Sequence, residues 1–283
     1  MKVRIGVAVG GRASLGVDAL GPVVDELDVL GFDSIWFPET FLTGSIDPLV
    51  GLAYTAARVR RLKLGTHLVA PGRNPYALAK ALAQLDRLSD GRLLLTFVAG
   101  LNDPAERAVQ GLPDGDRTTW FDEHLPSVRR WWSGGDVEGV RLDSRPRQDP
   151  LEVWLGGRAP SALARVGRLA DGWLPGGITL DAAIAGRAAV ERAATDAGRA
   201  ISPEHFGINL TYVLEGAAPP ASPRQVVGDT RDVVAPDRGA LRALAGRWLD
   251  AGFSKLVVRP ATAPADWTGE LRRLADAVLD MQT

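Results

Sequence analysis

Cysteine is absent from this chain of 283 residues, which excludes a disulfide framework, a thiolate metal site and a cysteine nucleophile. Histidine is scarce: His67, His124 and His205 are far apart, with no His-x-His pair and no carboxylate cluster at ligand spacing. Hydrolytic metal sites gather several such ligands, so no metal is expected. Four lysines occur, Lys2, Lys63, Lys80 and Lys255. Lys63 and Lys255 open strand-like runs, and so sit at the strand end away from a catalytic mouth. No Gly-x-Ser-x-Gly elbow is present. An excess of charge is missing too: 33 basic against 34 acidic residues leave a net charge of -1, with no bulk attraction for nucleic acid or an anionic membrane. No apolar run approaches the roughly 18 residues of a membrane span, and the one before the first glycines is too short for a secretory signal. These absences describe a soluble cytoplasmic protein with a small-molecule partner. An enzyme so poor in reactive side chains borrows a cofactor.

What is present is a rhythm. Val3 to Val9 is an aliphatic run followed by Leu20, Val23, Val24, Leu27 and Leu30 at helical spacing, ending at Gly31; this reads as a strand and a helix. Ser34 to Pro38 precedes Leu49, Leu52, Ala53, Ala56 and Val59. Leu62 to Val69 precedes a helix with Leu78, Leu82, Leu85 and Leu88 on one face and Pro75 in its first turn, where proline's fixed φ is accommodated. Further strands are predicted at Arg92 to Val98, Leu151 to Leu155, Gly172 to Leu174, Gly207 to Leu214 and Lys255 to Val258. Eight strands alternating with helices predict a single α/β domain over 1–283, a (β/α)8 TIM barrel rather than an open doubly wound sheet. Two stretches break the rhythm. Residues 102–150, with an aromatic patch (Trp120, Phe121, Leu125, Val128, Trp131, Trp132), read as an insertion after strand 4 over the barrel mouth, and the Pro- and Ala-rich segment 215–237 reads as a loop.

In such a barrel the residues just after each strand form the site. They are Glu39 and Thr40, His67 to Pro71, Ala99 to Asn102, Gly156 to Arg158, Pro175 to Gly177, and Arg259. In VWLGGRAPSALARV, Val153 to Val166, two glycines and an arginine precede a helix. Close backbone approach, unpaired N–H groups and a fork of cationic donors suit a phosphate there. The same residues also suit an ordinary strand-to-helix turn with Ser161 in the cap. His67 reads either as a site residue or as a satisfied core side chain, Glu39 as a proton donor or as the partner of an arginine, and Trp36 as core.

Four segments carry a resemblance in the right order along most of the chain: GFDSIWFPE (Gly31 to Glu39), LGTHLVAPGRNPYALAKALAQLDRLSDGRLLL (Leu64 to Leu95), WWSGG, and VWLGGRAPSALARVGRLADGWLPGG (Val153 to Gly177). Together they resemble the bacterial luciferase-like monooxygenase superfamily. The most specific part is the NP-x-x-x-A-x-x-x-x-x-LD-x-LS-x-GR block at Asn74 to Arg92. The resemblance implies a barrel that binds FMN or the deazaflavin F420 without covalent attachment, near the C-terminal ends of its strands.

It also implies residue roles. Gly156, Gly157 and Arg158, with Gly176 and Gly177 of the next turn, would hold the cofactor phosphate. A strand-three bulge, often with a non-prolyl cis peptide, would place His67 and Leu68 behind the middle of the ring. Glu39 and His67 become the catalytic candidates, and Ala99, Gly100 and Asn102 would contact the ring, although VAGLND departs from the family's usual Gly-x-Gly or Gly-Trp there. The leading expectation is an F420-dependent oxidoreductase passing a hydride between the deazaflavin and a small organic substrate. An Ala-, Arg- and Gly-rich composition suits a high-GC actinobacterial source, where F420 is common, and Arg73 and Arg158 could meet its acidic tail. The alternatives are an FMN-dependent monooxygenase using O2 and a non-catalytic flavin-binding protein. Members of the superfamily are commonly homodimers, though no exposed apolar stripe marks an interface in this sequence.

Overall fold

Among the described residues nine strands form one sheet, every pair parallel: β1 (Arg4–Ala8), β2 (Ser34–Pro38), β3 (Lys63–Val69), β4 (Leu93–Val98), β5 (Val153–Leu155), β6 (Gly172–Trp173), β7 (Gly207–Tyr212), β8 (Val234–Ala235) and β9 (Lys255–Pro260). The computed structural model describes residues 1–111, 117–217 and 229–283. The strand order is β6-β5-β4-β3-β2-β1-β9-β7-β8. The sheet curls, because two isolated parallel bridges, Trp173↔Phe206 and Gly176↔Asn209, bring the β6 end against the β7 segment. All eight predicted strands are present. β8 is additional; it lies within the segment read as a loop, of which residues 218–228 fall outside the described part.

Helices cover the outer face, as parallel sheets require: α1 (Leu20–Leu30), α2 (Pro48–Arg58), α3 (Pro75–Leu88), α4 (Pro104–Val109), α5 (Thr119–Trp132), α6 (Pro160–Leu169), α7 (Leu180–Asp196), α8 (Arg238–Asp250) and α9 (Trp267–Val278). Local signals set their ends. Gly31 closes α1 at φ 89, and Asn74 caps α3 ahead of Pro75 by accepting from the Ala77 N–H. None of the described helices is long and apolar enough to cross a membrane.

The aromatic patch does not cover the mouth. Trp120, Phe121, Leu125, Val128, Trp131 and Trp132 are the buried face of α5, which packs between α3 and α6, with Trp132 Nε1 donating to the Ala79 carbonyl at 2.9 Å. α5 is thus the crossover helix between β4 and β5, and apolar area sends its stripe to the sheet. Of the long connection, α4 reaches the strand ends, where the buried Glu106 accepts from the Phe41 and Leu42 N–H groups at 2.9 and 3.0 Å. Residues 112–116 lie outside the described part.

Alternation along the strands sorts side chains into two cores. The larger lies between sheet and helices. The smaller, inside the curl, holds Ala8, Trp36, Leu174 and Val257, with Leu94 and Trp154 against it. Two tryptophans fit there because facing strands carry glycine. A Cβ on Gly65 would lie 2.3 Å from the Trp36 ring, one on Gly6 2.5 Å from Trp36 Nε1, and one on Gly172 2.4 Å from the Trp154 ring. Trp36 is core, as its place in the strand indicates, and its Nε1 donates to Ser34 Oγ at 2.9 Å.

At the N-terminal end of the strands Asp33 accepts from Lys255 Nζ at 2.6 Å and Lys63 Nζ at 3.1 Å, with Arg4 at 3.7 Å. Both lysines therefore sit away from the mouth, as expected. The LD-x-LS-x-GR block is scaffolding too. Asp86 accepts from the backbone N–H groups of Arg147 and Gln148, and the Arg92 guanidinium donates to the Ser89, Leu62 and Ala56 carbonyls.

Candidate functional site

The C-terminal strand ends carry the inward columns upward from the small core. Trp36 is followed by Pro38, Gly65 by His67, Leu94 by Thr96, Trp154 by Gly156, and Val257 by Arg259. His67, Thr96 and Arg259 thus put three polar side chains in the layer above the two tryptophans.

His67 is half-buried as a residue, yet neither ring nitrogen reaches solvent and neither has a hydrogen-bond partner. Its ring lies 5.1 Å from that of Trp36, tilted by 43°. Burial, with the Arg259 charge adding, lowers its pKa to about 3, so the imidazole is neutral at ordinary pH. The neighbouring Thr96, in register with it on β4, also has a buried hydroxyl without a partner. Unpaired buried polar atoms are uncommon and costly. Their clustering marks a surface shaped for something polar.

Leu68 points the other way. It is fully buried in the core between sheet and helices, so only its backbone can face the mouth. The expected cis peptide at His67–Leu68 is not there: among the described residues the one cis bond is Asp149–Pro150. β3 pairs with β4 without interruption through His67↔Thr96, Leu68↔Phe97 and Val69↔Val98, and an unbroken ladder leaves no room for a bulge.

Glu39 is an ion-pair partner. One carboxylate oxygen takes a short hydrogen bond from Arg73, the other accepts from the Val69 N–H at 2.7 Å, and Arg73 Nε donates to the Val69 carbonyl at 3.0 Å. Burial raises the Glu39 pKa, while Arg73 and the Val69 N–H act against it. Both oxygens being engaged, Glu39 fixes the end of β3 rather than presenting a free proton. Arg73 is correspondingly occupied and does not stand ready for an acidic tail.

The turn after β5 departs from expectation in one detail. The Gly156 N–H donates to the Phe97 carbonyl at 3.1 Å, so it extends the ladder and cannot face a phosphate. Arg158 Nη1 donates to the Gly176 and Gly177 carbonyls at 3.3 and 3.2 Å, tying the two glycine turns together. Gly157 sits at φ 99, and no side chain caps α6: Ala159 is its N-cap, with Pro160 next and Ser161 already inside the helix. An uncapped N-terminus beside a glycine in the left-handed region offers N–H groups to an anion. Gly176 is exposed and Gly177 has φ 64.

After β4, Gly100 has φ 84, and Gln110 Nε2 donates to the Ala99 carbonyl at 3.2 Å. Asn102 is exposed, one step beyond these contacts. Gln110 and Asn209, whose Nδ2 donates to the Pro175 carbonyl at 3.0 Å, are site-lining residues that sequence spacing does not single out. Their positions follow from pairing between distant segments. The uncapped N-terminus of α6 and the unpartnered His67 and Thr96 side chains fit a cofactor that brings both a phosphate and hydrogen-bonding ring atoms.

Comparison with known proteins bears on this arrangement. The family model described as luciferase-like monooxygenase matches residues 4–232. An F420-dependent glucose-6-phosphate dehydrogenase of Amycolatopsis mediterranei is 27% identical over 164 residues, 51% of this chain and 49% of that one. A dibenzothiophene-sulfone monooxygenase of Rhodococcus erythropolis is 31% identical over 134 residues, 43% of this chain and 30% of the other. The chain thus spans about half the length, or less, of these curated relatives. The crystal structure of monooxygenase RslO1 from Streptomyces bottropensis superposes with a TM-score of 0.78 at 22% identity, covering 98% of this chain and 99% of that one, a likeness of fold.

Proposed function

The chain belongs to the luciferase-like monooxygenase family, and from that premise we propose that it is an F420-dependent oxidoreductase acting on a small organic substrate at the mouth of a (β/α)8 barrel, closed by the two bridges between β6 and β7. The observation that carries the reading is the buried, unpartnered imidazole of His67 beside the unpartnered Thr96 hydroxyl at the C-terminal ends of β3 and β4. When bound, the deazaflavin supplies a two-electron carrier able to exchange a hydride with a substrate carbon. His67, neutral and seated on Trp36, offers one ring N–H donor and one acceptor where the ring would lie. Glu39, Arg73 and Val69 hold that strand end rigid, so the imidazole keeps its orientation. The N-terminus of α6 and Gly157, with Arg158 bracing the turn at Gly176 and Gly177, would hold the phosphate. The surrounding core excludes water from this floor, which orients the reactants and shields the hydride.

F420 is favoured by the Amycolatopsis relative, which matches the longer stretch. The Rhodococcus relative favours a second reading, an FMN-dependent monooxygenase. Dissociation constants for F420 and FMN, read from quenching of ligand fluorescence, separate the two. Tighter binding of F420 is expected, and FMN binding without F420 binding transfers the function to the second reading.

A further inference from the structure

Arg259 ends the inward column of β9, and among the described residues its side chain makes one hydrogen bond, a long contact from Nε to Thr211 Oγ1 at 3.5 Å. Among the described residues no carboxylate lies within ion-pair distance of it or of Arg12. Arg12 follows Gly11, which has φ 62 and whose missing Cβ would lie 3.3 Å from Arg259 Nη1. Arg12 is exposed, and its charge acts on Arg259 across the ends of β1 and β9. The acids nearest the mouth are otherwise engaged: Glu39 with Arg73, Glu106 with two backbone N–H groups, and Asp47 as the cap of α2. Hydroxyls complete the rim, with Ser14, Thr40, Thr43 and Ser45 bonded to one another and Ser45 Oγ accepting from the Gly11 N–H at 2.9 Å. An inward guanidinium held without a counter-charge is expensive unless a ligand supplies one.

Resting on the functional reading above, we propose that Arg259, with Arg12 beside it, binds an acidic group of the organic substrate, a carboxylate or a phosphate. Around the curl β7 separates the glycine turn after β6 from β9, and β6 and β7 separate the turn after β5 from it. A cofactor phosphate at α6 thus leaves this second anion site to the substrate. Arginine's planar fork suits either acid.

The test titrates cofactor-loaded protein with inorganic phosphate and, separately, with acetate, reading calorimetric heat and the thermal midpoint. Wild type responds to at least one probe. In R259Q the affinity for that probe falls roughly 10- to 100-fold, in R259K it is partly kept, and in R12Q it weakens less. Cofactor affinity in the same preparations changes far less than the anion affinity does. Unaltered anion affinity in R259Q overturns the proposal, as does a loss of cofactor binding in that variant, which would make Arg259 part of the cofactor site. Wild type that binds neither F420 nor FMN defeats the functional reading, and the substrate assignment with it.

Discussion

Arg158 spans two loops: its Nη1 donates to the carbonyls of Gly176 and Gly177, so the turn that follows β5 holds the turn that follows β6. The contacts are long and partly exposed, and contribute little to the fold. Replacing Arg158 by alanine is expected to weaken cofactor binding by roughly tenfold, about 1.4 kcal/mol, while shifting the unfolding free energy by less than about 1 kcal/mol. Ligand fluorescence titration and urea unfolding of one preparation check both numbers, and equal affinity would make the residue an ordinary turn brace.

His67 imposes a pH dependence whose sign is fixed by its depressed pKa. The unfolded chain gains a proton at this residue below about 6.5, whereas the folded one resists until about 3. Stability from the neutral imidazole is complete above pH 6.5 and is lost as the pH falls toward 3, by up to about 1.4 kcal/mol per pH unit. In His67→Gln that part of the acid sensitivity disappears, so urea midpoints of variant and wild type converge or cross between pH 7 and 4. Parallel midpoints would contradict the burial of the ring.

Asp33 and Lys255 form the opposite kind of site. Burial lowers the Lys255 pKa to about 8 despite its partner, and the two lysines hold Asp33 near 2 against burial. Asp33→Asn leaves a buried ammonium uncompensated and is expected to cost about 3 to 5 kcal/mol. Adding Lys255→Met to that variant recovers much of the loss. Urea unfolding of the two variants measures the recovery, and cofactor affinity stays put in whichever folds.

Gly65 marks where size is constrained. Its Cβ position lies within the Trp36 ring contact, so Gly65→Ala forces the indole off its seat, costing about 1 to 3 kcal/mol. Because His67 rests on that indole, the cofactor affinity should fall as well. Near-ultraviolet circular dichroism follows the displaced tryptophan.

The sequence made the strand–helix rhythm legible because inward and outward faces of a parallel sheet both demand aliphatic residues. Val3 to Val9 or Leu62 to Val69 announce themselves for that reason. β8, two residues in a Pro- and Ala-rich stretch, has no such signal and exists only because β7 offers it an edge. The aromatic stripe at Trp120 to Trp132 was legible as a buried face but not as facing α3, since a helical period does not say which surface it covers. Site residues divide likewise. His67 stood out by type, whereas the fate of the Gly156 N–H depended on Phe97 and that of Glu39 on Arg73, partners set by register. The Asn74 to Arg92 block, the clearest mark of kinship, turns out to brace the scaffold through Asp86 and Arg92.

Two bridges, Trp173↔Phe206 and Gly176↔Asn209, are a thin join across the curl of the sheet, and they lie beside the glycine turns. A ligand gripping both turns would act as a clasp on a hoop, its binding free energy added to a join that is thin by itself. Resilience against unzipping and loading with cofactor would then rise together, so that the empty chain is the one exposed to proteolysis at this edge.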